Sequence, residues 1–86
     1  MLNNTIVNAV TATNQTYVDS LKAQGKFDIE AQKVALQKSY DTVISVLGVD
    51  AQRYLNEAVG DLNTYIMTAI ERQVNVNKNL ATTTNS

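Results

Sequence analysis

Proline is absent from this chain, and glycine occurs only at 25, 48 and 60. Proline costs about 3 kcal/mol in a helix interior, and glycine about 1 kcal/mol relative to alanine. So few breakers, set among many Ala, Leu, Gln and Lys residues, point to long helices. Two of the glycines sit in stop-and-start signatures. In AQGKFDIEAQ, Gly25 can take the left-handed conformation that ends a helix. Asp28 follows as a cap, and Glu30 stands in the next first turn near the positive end of the dipole. In SVLGVDAQRY, Gly48 repeats the stop, with Val49 set to meet Ile44 and Asp50 as the next cap. Val49 and Tyr54 have the spacing of a hydrophobic staple. These signals predict three helices, over 3–24, 29–47 and 51–76.

Hydrophobic periodicity supports this division. Leu2, Ile6, Val10, Tyr17 and Leu21 share one side of the first helix. Ile29, Leu36, Tyr40, Val43, Ile44 and Leu47 line the second. Leu55, Ala58, Val59, Leu62, Tyr65, Ile66, Ala69 and Ile70 line the third. All follow the 3.6-residue period, and none alternates as a strand would. Short turns make consecutive helices antiparallel neighbours. The expected fold is all-α: a three-helix antiparallel bundle over 1–76, completed by self-association, with a disordered Asn/Thr-rich tail over 77–86.

At 86 residues the chain is one small domain, of a size that needs disulfides, metal, oligomerisation or very regular packing. It has no cysteine and no histidine, so disulfides, thiolate sites and the commonest metal ligand and general base are excluded. No D-x-D-x-D-G calcium loop is present. No cofactor is therefore expected. Net charge is −1, from seven basic and eight acidic residues. No basic stripe exists to follow a phosphate backbone or an anionic membrane surface, so no nucleic-acid partner is expected.

The side chains that could carry chemistry have plainer readings. Tyrosines at 17, 40, 54 and 65 could donate protons or stack on bases. Each lies on or beside an apolar stripe, and core packing is the expectation. Glu57 and Asp61 stand four residues apart, where like charges on a helix repel. Arg53 precedes Glu57 by four residues, and a solvated charged face is expected there. Gly60 falls inside what reads as the third helix, opposite its stripe, and Met67 and Val74 follow at seven-residue intervals. That spacing describes a second narrow contact face, where glycine admits a close neighbour. The plainer and preferred reading is a tolerated surface glycine near two stray apolar residues.

The opening run, MLNNTIVNAVTATNQTYV, reaches Asp19 before its first charge. Asn3, Asn4, Asn8, Asn14 and Gln15 make it too polar for a bilayer span of about 20 apolar residues. No positive n-region precedes an apolar core, so no secretory signal is expected. As a helix it sets apolar residues on one side and Asn and Thr on the other. Thr13 and Asn14 fall inside the apolar stripe, where polar residues can fix register or oligomeric state. An uncharged polar face costs less to desolvate than a charged one. The expected interaction surface is centred on Thr13, Asn14 and Tyr17, with Gly60, Met67 and Val74 as a second candidate.

The segment NQTYVDSLKAQGKFDIEAQKVAL resembles the soluble helical part of LLH-type holin-like proteins of prophages. The resemblance is carried by Asn14 to Val18, by the turn Gly25 to Phe27, and by Ile70, Glu71 and Val74 in the closing segment, over about residues 8–78. It implies a non-enzymatic phage or prophage protein that acts through helix packing. Holins of this type are similar to one another in a transmembrane helix ahead of this region, and the expectation here is a soluble portion or a stand-alone relative. Any membrane attachment would come through an upstream segment, and the expected location is the bacterial cytoplasm or the membrane periphery. A homo-oligomer or a partner helix is the expected partner. The alternative is a small helical binding module that holds an apolar ligand or a partner helix between its helices. A small enzyme built on Tyr and carboxylates would need a concave site with converging polar groups, which the helix patterns do not suggest.

Overall fold

The first stop is closed by two backbone bonds of the Schellman kind. The Gly25 amide donates to the Lys22 carbonyl and the Lys26 amide to the Leu21 carbonyl, at 3.1 and 2.8 Å. Gly25 has φ +69°, which glycine adopts without steric cost. Asp28 then caps the next helix as expected, its Oδ1 accepting from the Ala31 amide at 2.8 Å.

The computed structural model describes the backbone of residues 2–85 and the side chains of 2–76. The chain is all-α, with no strand among the described residues. It runs as α1 (Leu2–Thr13), a π-helical turn (Asn14–Val18), α2 (Asp19–Ala23), α3 (Ile29–Val59) and α4 (Leu62–Asn85). The first three pieces form one continuous rod, so the chain makes three helical rods. α1, α3 and α4 each pack on the other two. Ile6, Ala9 and Val10 of α1, Val43 of α3 and Leu62, Ile66 and Ile70 of α4 form the core. Leu2, Leu36, Tyr40, Ile44, Leu47, Leu55 and Ala69 pack around it. The tail expected over 77–86 lies outside the residues described with their side chains.

The predicted third helix is corrected at its start. Residues 51–59 belong to α3, and α4 begins at Leu62. The break is Gly60, with φ +88°. Its amide still donates to the Asn56 carbonyl at 2.9 Å, so it closes the last turn of α3. Asn56 also turns its Oδ1 to the Leu62 amide at 3.1 Å, and Asp61 caps α4 through the Thr64 amide at 3.2 Å. The stop at Gly48 takes another form. Gly48 has φ +77° and ψ 173°, yet the helix resumes directly beyond it, so α3 is two helical stretches joined at a bend. Across that bend, Gln52 Nε2 donates to the Ile44 carbonyl at 3.1 Å. Val49 and Tyr54 stay exposed, so the expected staple is not made.

Candidate functional site

The π turn lies on NQTYV. The Asp19 amide donates to the Asn14 carbonyl, an i→i−5 bond. One threonine precedes the turn and another lies within it. Thr13 Oγ1 donates to the Ala9 carbonyl at 3.0 Å, and Thr16 Oγ1 to the Ala12 carbonyl at 2.8 Å. Such back-bonding competes with the helical ladder and bends it. Beneath the turn, Ser39 Oγ of α3 donates to Thr13 Oγ1 at 2.9 Å. Both residues are buried, at 6% and 3% exposure, so the core contains one closed polar contact between α1 and α3.

This geometry corrects the expected stripe. The apolar period places Tyr17 among the core residues of the first helix, whereas Val18 occupies that position and is 5% exposed. An i→i+5 turn takes in one more residue than an α turn. Everything after it is rotated back by about one residue's angle, which draws Val18 inward and swings Tyr17 to the rim. There the Tyr17 ring lies under Lys38 Nζ, 5.1 Å from its centroid. Asn14 is half-buried.

The surface centred on Thr13, Asn14 and Tyr17 is therefore not one continuous exposed face. Thr13 is held inside the chain, and Tyr17 is partly covered by α3. The exposed side of residues 2–18 consists instead of Asn3, Asn4, Asn8, Thr11, Ala12, Gln15 and Thr16. No charge occurs among them. Asn4, Asn8, Thr11 and Gln15 follow the 3–4 spacing of one helix ridge, directly opposite Ile6, Val10 and Thr13.

The second expected face is also rearranged. Gly60 terminates α3 and so does not share a helix with Met67 and Val74. Those two do share a side of α4, flanking its core line, with Met67 half-buried and Val74 exposed. On the opposite flank, Tyr65, Thr68, Ala69 and Arg72 border a cleft of about 240 Å³ with Leu2, Asn3 and Ile6 of α1. A second, shallower cleft beside the π turn is lined by Ala12, Thr13, Thr16, Lys38, Asp41 and Thr42.

The tyrosines depart from a uniform core role. Tyr17 and Tyr40 are half-buried, while Tyr54 and Tyr65 are exposed. Tyr40 packs on the core and its hydroxyl donates to Asn63 Oδ1 of α4. Ile29, expected in the α3 stripe, is 69% exposed because it sits in the first turn, where Ala31 faces inward instead. Asp61 does not pair with Glu57 across a helix turn, since the Gly60 break separates them. The Thr64 amide and hydroxyl hold the Asp61 carboxyl below its usual value. Among the described residues, no three acidic side chains converge to hold a metal ion, and no helix is long and apolar enough to cross a membrane.

Sequence reasoning missed Ser39, Val18 and Asp61. Asp61 was findable, because Gly60-Asp61 is a third glycine–aspartate pair like those at 25/28 and 48/50. Ser39 is a lone polar residue within an apolar stripe, which marks it only once its partner Thr13 is known. Compared with protein-family models, curated proteins and solved structures, the chain matches none.

Proposed function

We propose that this chain is a non-enzymatic helical interaction module that works by self-association, through the uncharged outer ridge of α1. The observation that carries the reading is the composition of that ridge: every exposed residue from Asn3 to Thr16 is neutral. Desolvating amide and hydroxyl groups costs far less than desolvating ions when each finds a partner. Asn and Gln carry both donors and acceptors. A ridge of them is therefore self-complementary, as the repeated surface of a symmetric dimer requires. The Thr13–Ser39 bond and the Tyr17–Lys38 contact help fix the orientation in which α1 presents this ridge. In the arrangement proposed, the rods form an antiparallel bundle that a second copy completes. The phage or prophage origin, of the LLH holin-like kind, rests on the sequence resemblance alone.

A charge placed on the ridge tests the reading. Asn8→Lys and Thr11→Glu are expected each to weaken association, and mixing the two variants to restore part of it. Thr68→Lys, at an exposed position on the α4 cleft, is expected to leave it unchanged. Equal association of the parent and both ridge variants would overturn the proposal.

The cleft between α1 and α4 favours a second reading, a binding module for a partner helix. Its floor includes Leu2 and Ile6, and its 240 Å³ fall below the roughly 300–1,000 Å³ of small-molecule sites. An extended helix face would fit it better than a compact ligand. In that case Thr68→Lys, and not the ridge variants, would abolish binding.

A further inference from the structure

The opening helix carries an apolar pattern that one helical register cannot satisfy. On an unbroken α-helix each residue turns by about 100°. Continued from Ile6, Val10 and Thr13, that rotation brings Tyr17 to the centre of the core face and leaves Val18 about one residue's angle away. With the π turn at Asn14–Val18 the order reverses: Val18 is 5% exposed, and Tyr17 lies at the rim beside Lys38. Both residues are apolar enough for the inward position. Among the described residues, the one side-chain hydrogen bond from another rod to Thr13 or Thr16 is that of Ser39 to Thr13 Oγ1.

We infer that NQTYV is a two-register switch in the first rod, latched by the Thr13–Ser39 hydrogen bond. With the latch closed, the segment is π, Val18 is in the core, and Tyr17 lies under Lys38. With the latch open, the segment returns to α geometry. Tyr17 then takes the inward position, Val18 leaves it, and α2 rotates by about one residue's angle. The two states differ by an exchange of one buried side chain for another, so neither leaves an empty core position. The exchange also changes what the first rod displays, since the Tyr17 ring leaves Lys38 and Val18 becomes exposed. The exchange at 17 and 18 does not require the self-association proposed above.

The chain has no cysteine, so an engineered thiol is a unique reporter. Val18→Cys and Tyr17→Cys are each made in the parent, in Ser39→Ala and in a variant with Gln15 deleted, and alkylation rates are compared under native conditions. In the parent, the thiol at 18 is expected to react about tenfold or more slowly than the thiol at 17, as buried sites do. Ser39→Ala opens the latch: the rate at 18 rises about tenfold and the rate at 17 falls. Deleting Gln15 removes the extra residue of the π turn, so 18 stays protected in an uninterrupted α-helix, whether residue 39 is Ser or Ala. The inference is overturned if Ser39→Ala leaves both rates unchanged, or raises both together, which is fraying. It is also overturned if the Gln15 deletion exposes the thiol at 18. Should Ser39→Ala fail to fold, the deletion variant alone decides.

Discussion

Thr13 and Ser39 show how much one buried polar pair constrains this small core. A hydroxyl buried without a partner costs about 1–3 kcal/mol, whereas removing both partners together can be nearly neutral. Thr13→Val is therefore expected to lower stability by about 1–2 kcal/mol, and adding Ser39→Ala is expected to recover part of that loss. A double-mutant cycle by urea denaturation measures the coupling, and additive effects would deny the contact. Asp61 makes a prediction in pH. Its carboxyl is held low by the Thr64 amide and hydroxyl, so the folded pKa lies below the unfolded one. The stability it adds is present above the unfolded value and is lost as pH falls through the folded value. Asn caps helices as well as Asp does. Asp61→Asn is thus expected to match the parent at neutral pH and to lose less stability on acidification through the carboxylate range, as followed by thermal melts. Legibility at this scale depended on range. The Asp28 cap could be read because cap and helix are contiguous. The Thr13–Ser39 pair could not, because it joins residues 26 positions apart.

At the scale of elements, the three glycines divide the chain, and all three have positive φ. The sequence pattern announced the stops at Gly25 and Gly48. The apolar period runs on across Gly60 from Leu55 to Ile70, so the sequence reads it as a helix-interior residue. Period alone does not reveal the break, and Ala58, Val59 and Tyr65, expected in the stripe, are exposed on either side of it. The two views predict opposite signs for one substitution. In a helix interior, Gly60→Ala would stabilise by about 1 kcal/mol. At φ +88°, alanine bears the left-handed penalty of about 1–2 kcal/mol, and the variant is expected to be less stable than the parent. No neighbouring atom lies within 4 Å of the added Cβ, so the sign reports backbone conformation and not crowding. Chemical denaturation of the two proteins decides it. The π turn was illegible for a related reason: its outcome, Val18 in place of Tyr17, exchanges one apolar residue for its neighbour.

For the whole molecule, the core is small, and the largest fully buried side chains are Ile66, Ile70, Val10 and Val43. Large-to-small changes at such sites typically cost about 2–5 kcal/mol, a major share of the roughly 5–15 kcal/mol of a typical domain. Ile66→Ala is expected to leave the chain largely unfolded near physiological temperature, as read by far-UV circular dichroism. Domains of this size gain from association, because burying surface between copies adds what a single core lacks. The principal-axis extents of 41 × 24 × 18 Å describe an elongated body. The most direct test is sedimentation equilibrium of the full chain over a wide concentration range, beside Asn8→Lys. The expected result is a parent mass that rises with concentration above the 9.4 kDa monomer, and a variant that stays monomeric and folded. A parent that remains a folded monomer throughout would contradict it.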